Sequence, residues 1–455
     1  MVNRDLSFFF FFSGVKRVHG AREQRFSRYA SASSRVGGGA PFLAFATEKN
    51  DGNRYIEEAL RKGASGYVGQ REIPGLRPEK TALIVEDTWN FLLDGARKAM
   101  EASQAKIVAL TGSCGKTTTK EMTSRFLGRG RRIFSTPGSF NSAMGVPLSI
   151  LEGWKGDEEV GVFELGANGF GEIARNSRLL RPHVAALLNV HPVHVEFFRD
   201  EEGVLAAKKE ILKGLREEGT ALFNGDDPYT LKAAKEYSGR KILFGTGEEA
   251  EIRGRILRRD GESMDVQIRW NGKSRAFTLP FFLTSHFLNF LSAASLAIAF
   301  GEAPERIEEA VSGLVPVSHR GEIRKIRRAK VLDDSYNANA DAFRMVLGDF
   351  AELPGRKIVV AGEMLELGEK SEGEHLRVAE KILEERFDGV YLVQGQAFRI
   401  YERLREDPWY RERVFYYDQA KEFKERFGRL LEEEQTVLVK GSFGTQLWKL
   451  VEESQ

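Results

Sequence analysis

A lysine set behind a glycine turn and followed by three threonines can hold a chain of phosphates. The segment Thr111-Gly112-Ser113-Cys114-Gly115-Lys116-Thr117-Thr118-Thr119 has that make-up. Glycines let consecutive backbone N–H groups close around phosphate oxygens, the lysine reaches the terminal phosphates, and a threonine directly after it can ligate Mg²⁺. Gly112, Ser113, Gly115, Lys116, Thr117 and Thr118 are therefore candidate triphosphate ligands. The general motif has a further glycine five places before Gly115, where this chain has Leu110, so the loop is a compressed form.

Other residue groups could give the phosphates a task. Glu164 ends the apolar run Val160 to Leu165, and a strand-end carboxylate beside a phosphate loop suits a magnesium ligand or a solvated acid. His191 and His194 follow another apolar run and are either metal ligands or loop residues. In the segment Val204 to Leu215, Val204, Ile211, Leu212 and Leu215 mark an apolar helix face that also carries Lys208. A lysine there must be paired, chemically modified or snorkelled to solvent. Further along come Ser285-His286-Phe287-Leu288-Asn289, Pro316-Val317-Ser318-His319-Arg320, Asp333-Asp334-Ser335-Tyr336-Asn337-Ala338-Asn339 and Gly362-Glu363-Met364-Leu365-Glu366-Leu367-Gly368. Each alone reads as a surface turn or a helix start.

The elements that must position these groups divide the chain into three. Residues 1–103 show short strand-like pieces (Pro41 to Ala46, Ala82 to Val85) and a helix from Arg54 to Lys62. Residues 104–315 alternate strands (Lys106 to Leu110, Val160 to Leu165, Val184 to Val190, Thr220 to Phe223) with helices, the first from Lys120 to Leu127; this is the pattern of a parallel α/β sheet. Between Glu251 and Leu279 the period changes to alternation, with Asn271-Gly272 as a hairpin turn, which predicts a small antiparallel insertion. Residues 316–455 again alternate strands (Lys357 to Ala361, Gly389 to Val393, Thr436 to Val439) with helices, among them Ser371 to Glu385 and one from Thr445, as in a Rossmann-like domain. A site between two such sheets, at the carboxyl ends of their strands, is expected.

Composition sets the outer bounds. A chain of 455 residues with 42% hydrophobic and 29% charged side chains can build several soluble domains. Its net charge of +2 argues against bulk attraction to nucleic acid or anionic lipid. The basic stretch Arg129-Gly130-Arg131-Arg132 either touches a phosphate or is a solvated loop. The single cysteine, Cys114, excludes an intrachain disulfide and reads as a small tolerated loop residue rather than a nucleophile. The apolar run Phe8 to Phe12 is far too short to span a bilayer and reads as a first strand or an exposed segment, with a signal peptide as the alternative. No stable membrane insertion and a cytoplasmic location are expected.

In sequence order these segments resemble the Mur ligases, the ATP-dependent amide-forming family of peptidoglycan assembly. The resemblance rests on Thr111 to Lys120, Asn141-Ser142-Ala143-Met144-Gly145-Val146-Pro147-Leu148, Glu164-Leu165-Gly166-Ala167-Asn168 with Gly171-Glu172-Ile173, Asp334 to Asn339, and Met364 to Glu369. It spans about Ser34-Arg35 to Lys440-Gly441-Ser442 and is strongest to the member that adds D-alanyl-D-alanine to UDP-N-acetylmuramoyl tripeptide. It implies a three-domain α/β fold: an N-terminal UDP-sugar-binding module, a central P-loop ATPase domain, and a C-terminal domain for the incoming amino acid or dipeptide. It implies ATP and Mg²⁺, with Lys116, Glu164, His194 and Lys208 catalytic. Thr117, Glu164, His194 and a carbamylated Lys208 would hold the metal, while Asn289, Arg320 and Asp334 contact ATP. Ser34, Arg35, Asn141, Ser142, Tyr336, Asn337 and Asn339 would bind the substrates, UDP-N-acetylmuramoyl tripeptide and D-alanyl-D-alanine, and a monomer is expected.

The chain departs from the family pattern in having Phe287 after His286, Asn53 in the Asp51-Gly52 turn, Ser142 after Asn141, and Ala340 after Asn339. The implied chemistry is activation of a peptide carboxylate as an acyl phosphate, followed by attack of the dipeptide amine. Two rivals stand beside it, with a folylpolyglutamate-type ligase as a more distant option. One is the related ligase that adds the third, diamino acid residue, whose Asp-Asn-Pro-Arg type motif is not found here. The other is a nucleotide-binding regulator without ligase activity, which should lack Glu164, His194 and Lys208.

Overall fold

A computed structural model describes residues 4–5, 14–20, 25–26, 29–32, 36, 39–46, 50–101, 103–192 and 198–454. Three main sheets divide the described residues. The Phe8 to Phe12 run, Ser34, Arg35 and His194 lie outside them.

The central sheet has nine strands. From one edge it runs Ile133–Ser135, Val160–Glu164, Lys106–Thr111, Val184–Leu187, Thr220–Asn224 and Lys241–Gly245, all parallel, and continues into the strand Ile252–Arg259. Met264–Trp270 and Lys273–Leu279 complete it as an antiparallel ribbon. The alternating segment is the expected antiparallel insertion, and it extends the same sheet. Its turn is the expected one, with Asn271 at φ 45° and Gly272 at φ 74°, the left-handed pair that a tight hairpin needs. From Lys106–Thr111 the chain passes first to strands on one side of it and only later to Val184–Leu187 on the other. The loop after Lys106–Thr111 therefore opens at the point where strand order reverses, the crevice in which such sheets bind ligands.

Val108, Leu110, Val162, Ala186 and Leu222 face one layer of helices, and Ile107, Ala109, Phe163, Ala185 and Phe223 face the other. Burial on both faces explains why these strands read as continuous apolar runs. The helix after the phosphate loop covers Lys116–Gly128, longer at its start than the pattern suggests, because threonines and a lysine carry no apolar signal. Helix Thr284–Phe300 packs along it.

The segment read as one helix from Val204 to Leu215 is an α-helix over Glu201–Lys209 and a 3₁₀ turn over Glu210–Gly214. The turn tightens where the chain meets its neighbour: a Cβ on Gly214 would lie 2.0 Å from the Ser177 carbonyl oxygen. Glu210 turns inward there and accepts from the N–H groups of Gly171 and Ala174, at the start of helix Glu172–Leu180.

The third sheet has the order Glu322–Ile326, Ala329–Asp334, Thr436–Lys440, Lys357–Gly362, Gly389–Val393 and Val414–Tyr417, antiparallel only at its first pair. The first region contains a four-stranded sheet of Val15–His19, Thr81–Val85, Gly66–Gly69 and Phe42–Leu43. The strand expected over Pro41 to Ala46 shrinks to Phe42–Leu43. The helix expected over Arg54 to Lys62 is a 3₁₀ turn, Gly52–Tyr55, leading into Ile56–Arg61, with the Asp51 side chain accepting from Asn53 N–H at its start.

Candidate active site

The phosphate loop begins where Lys106–Thr111 ends and closes at Gly115, whose φ of 75° is left-handed. A Cβ at Gly115 would lie 2.1 Å from Asn289 Oδ1, so only glycine lets helix Thr284–Phe300 approach the loop. Asn189 ties the loop from the next strand: its Oδ1 accepts from Cys114 N–H at 2.8 Å and its Nδ2 donates to the Cys114 carbonyl at 3.2 Å. Lys116 Nζ donates to the carbonyls of Gly112 (2.8 Å) and Ser113 (3.2 Å). Burial pushes this ammonium below the ordinary lysine range, with the Glu164 carboxylate opposing and Arg320 adding to the shift.

Strand register brings Glu164 to the loop. Leu110 pairs with Glu164, so the carboxylate lies one residue short of Thr111 on the adjacent parallel strand. Asn141 Nδ2 donates to Glu164 Oε1 at 2.6 Å. Glu164 Oε2 is buried with no partner among the described residues. A buried carboxylate oxygen left without a donor is costly unless a cation meets it, and it lines the cavity that holds Lys116, Thr117 and Lys208. The oxygen-rich pair Glu164 and Thr117 fits a hard divalent ion such as Mg²⁺.

Lys208 does lie on the buried face, alongside Val204, Leu205, Ala207 and Ile211. Its side chain lines this cavity and meets no acid among the described residues. Burial, and then the Lys116 charge, hold it well below the ordinary lysine range. Snorkelling to open solvent is therefore not its solution. Lys209 has the opposite fate, at the surface in an ion pair with Glu236.

The third region closes the cavity from the opposite side. Its sheet also presents strand carboxyl ends: Asp334 and Lys440 are directly paired in register, and Lys440 Nζ donates to Asp334 Oδ2 at 2.5 Å and to the Asn337 carbonyl at 3.1 Å. Arg320, in the connection between the two sheets, has its guanidinium 3.9 Å from the centroid of the Tyr336 ring. Its Nε is buried without a partner among the described residues, and its carbonyl accepts from His286 Nε2 at 2.8 Å. His319 precedes it at φ 60°, with Nδ1 2.7 Å from Asp333 Oδ2. Three lysines (Lys116, Lys208, Lys440), Arg320 and Glu164 thus face a cavity of about 340 Å³.

Most expected residues converge here: the loop from Ser113 to Thr118, then Asn141, Glu164, Lys208, Asn289, Arg320 and Asp334, and Tyr336, Asn337 and Asn339. Gly112 contributes its carbonyl to Lys116. Ser142 sits just outside, its Oγ accepting from Gly145 N–H at the start of helix Gly145–Gly153. Phe287 is buried in the core against Gly254, which accounts for a phenylalanine there.

Several contacts had no signal in the sequence. Asn339 Nδ2 lies 2.9 Å from Cys114 Sγ, so the loop cysteine touches the third region. Ser139 Oγ and Tyr336 Oη are 2.9 Å apart, and His191 Nδ1 is 3.1 Å from Asp341 Oδ2. His191 titrates at about 9: burial pulls it down, but Cys114 and the hydrogen-bonded Asp341 carboxylate outweigh that. Asp341 is lowered to about 2 by the His191 hydrogen bond, against burial and with Arg377 helping. The basic stretch at Arg129–Arg132 faces away from the cavity, in ion pairs with Glu309, Glu302, Asp157 and Glu159.

Fold and site define an α/β protein in which a P-loop sheet faces a second, mostly parallel sheet across a shared cavity. Comparison with known proteins narrows this. Residues 110–297 match the Mur ligase middle domain and residues 319–443 the Mur ligase glutamate ligase domain. The UDP-N-acetylmuramoyl-tripeptide–D-alanyl-D-alanine ligase of Rickettsia prowazekii (strain Madrid E) is 30% identical over 88% of this chain and 89% of its own length. A crystal structure of MurF from Acinetobacter baumannii superposes with a TM-score of 0.86, at 26% identity, over 100% of this chain and 99% of that one. MurF ligase from Thermotoga maritima in complex with ADP gives a TM-score of 0.80 at 28% identity, covering 93% of this chain and 96% of that one. The chain belongs to the Mur ligase family.

Proposed function

We propose that this chain joins D-alanyl-D-alanine to UDP-N-acetylmuramoyl tripeptide at the expense of ATP, giving the UDP-muramoyl pentapeptide of peptidoglycan synthesis. The observation that carries the reading is the Glu164 oxygen that has no partner among the described residues and faces the same cavity as Lys116, Lys208 and Arg320, between two opposed sheets. The relatives named above, and the ADP bound to the Thermotoga maritima protein, support the same substrates and ATP.

In this reading the loop amides and Lys116 hold the triphosphate, Asn289 and Asp334 hold its nucleoside end, and Arg320 approaches the transferring phosphoryl group. The terminal carboxylate of the tripeptide attacks the γ-phosphorus, the bond to the β-phosphate oxygen breaks, and ADP and an acyl phosphate result. The dipeptide amine then attacks the acyl carbon, loses a proton, and expels phosphate. With little covalent work for the protein, positioning and charge stabilisation carry the rate. Thr117, Glu164, His194 and Lys208 would hold magnesium. Bound there, it supplies neutralising charge to the phosphoryl oxygens. Lys208, buried and short of an acid partner among the described residues, is disposed to react as a free amine with carbon dioxide, which turns a misplaced cation into an anionic group.

Ser34, Arg35, Asn141 and Ser142 are assigned to the UDP-muramoyl side, with Tyr336, Asn337 and Asn339 near the reacting ends. The three regions at 1–103, 104–315 and 316–455 act as UDP-sugar, ATP and dipeptide domains. No helix among the described residues is long and apolar enough to cross a membrane; a cytoplasmic monomer is the working assignment.

The test is phosphate release from ATP by the purified chain. Release that requires both UDP-muramoyl tripeptide and D-alanyl-D-alanine is expected. Release indifferent to the dipeptide, or obtained with a diamino acid and the shorter muramoyl peptide instead, overturns the proposal. So does tight ATP binding with no release at all, which would mark a regulator.

A further inference from the structure

One side chain of the phosphate-loop helix does no work at the phosphates and is nonetheless fully enclosed. Lys120 has 0% of its surface exposed. Its ammonium donates to the Thr136 carbonyl at 2.5 Å and the Gly138 carbonyl at 2.7 Å, and Glu121 Oε1 lies 2.8 Å away as an ion-pair partner. A buried ammonium is tolerated only with such complete satisfaction. An apolar residue would fill the slot at lower cost, so the question is what the two carbonyls gain.

They belong to the loop that follows strand Ile133–Ser135. Thr136 Oγ1 accepts from Glu164 N–H at 3.3 Å. Three residues after Gly138, Asn141 sends its amide to Glu164 Oε1 and its carbonyl to Gly166 N–H at 2.8 Å. Between them Ser139 meets Tyr336 of the third region. Among the described residues, the hydrogen bonds of stretch 137–140 other than those from Lys120 are turn bonds, such as Phe140 N–H to the Pro137 carbonyl, and the Ser139–Tyr336 pair.

We propose that Lys120 is a positioning residue for carboxylate activation. It straps loop 136–141 to the nucleotide helix, so that Asn141 occupies one oxygen of Glu164 and leaves the other for the metal, while Ser139 is presented to Tyr336. The helix that bears the triphosphate and the loop that bears the muramoyl-peptide contact then move as one body. This rests on the ligase reading for its kinetic consequences, but not for the strap itself.

Lys120→Met keeps most of the length and removes the donors; Lys120→Gln keeps an amide with two of the three N–H donors. In the full chain, Lys120→Met should raise KM for UDP-muramoyl tripeptide and the half-saturating Mg²⁺ concentration, each about tenfold, with Lys120→Gln intermediate. Metal-free ADP binding should stay within about twofold of wild type, because the loop amides and Lys116 are untouched. Amide hydrogen exchange at 138–141 should quicken while helix 116–128 stays protected. Asn141→Ala should reproduce the Mg²⁺ effect, and the double variant should be no worse than the poorer single one, since both cut the same chain of contacts. Additive losses, an ADP affinity that falls in step with the tripeptide KM, or unchanged exchange in the loop overturn the proposal. Failure of both Lys120 variants to fold also overturns it, because Lys120 would then hold the domain rather than the loop. If the wild-type chain proves not to be a ligase, the kinetic arm disappears while the exchange and ADP measurements still decide whether the strap exists.

Discussion

The central and third sheets face each other with the same end of their parallel strands, yet they build their halves of the cavity differently. The central half is assembled from neighbours: Leu110 and Glu164 are paired in register, Lys116 and Thr117 follow within one loop, and Asn189 braces that loop from the adjoining strand. The third half has one in-register pair of its own, Asp334 and Lys440, but meets the central half through side chains that reach across. Tyr336 meets Ser139, Asn339 meets Cys114, Asp341 meets His191, and Lys370 pairs with Glu201 at 2.8 Å. A half built from backbone and register is formed whenever its sheet folds. A half built from cross-sheet contacts depends on how the two sheets are held relative to each other, which suits a site that must admit and release substrates.

Substitutions should separate the halves by size of effect. Lys116→Met should lower phosphate release by about a thousandfold or more if, as proposed above, the loop lysine meets the transferring group. A rate within tenfold of wild type would remove Lys116 from the chemistry. Gly115→Ala follows: strained φ and the clash with Asn289 should weaken ADP binding about a hundredfold, measured by titration. From the third half, Arg320→Ala should reduce kcat by about a hundredfold while metal-free ADP affinity changes little. Wild-type turnover in that variant would show that closure does not need it.

The ion pair between the halves has a pH window. His191 is raised to about 9, so its contribution is complete below its ordinary value of 6.5 and is lost as pH climbs through 9. Asp341 is lowered to about 2, so its contribution is present above 3.8 and is lost only as pH falls through 2. Asp341→Asn should therefore lower the apparent melting temperature more at pH 6 than at pH 10. The residual gap at pH 10 comes from Arg377, which also pairs with Asp341 at 2.7 Å and keeps its charge. The His191 part is about 1 kcal/mol or less. A gap that widens toward pH 10 would contradict the pairing. Smallest of all, Arg132→Ala should leave phosphate release unchanged and stability within about 0.5 kcal/mol, since the exposed Arg132 faces acids away from the cavity.

The two halves were also unequally legible. Loop, strand-end acid and buried-face lysine each carry a local signature, because glycine spacing, an apolar run ending in Glu164, and a charge on an apolar stripe all lie within a few residues of chain. Their convergence follows from parallel strands in register. Lys120, by contrast, reads as one more polar residue early in a helix. Its burial comes from a loop sixteen and eighteen residues away folding over it. Cys114 reads as a tolerated small residue because its partner, Asn339, is 225 positions distant.

Sequence alone determined a phosphate-loop pattern on a parallel α/β sheet with an acid and a lysine nearby, since those features depend on local spacing and on burial patterns of single elements. Tertiary structure alone decided that, among the described residues, Asn141 takes one oxygen of Glu164 and leaves the other bare, that Lys208 finds neither open solvent nor an acid, and that Arg320 and Tyr336 close over the same cavity. Those outcomes depend on the distance between residues far apart in the chain, which packing and strand order set.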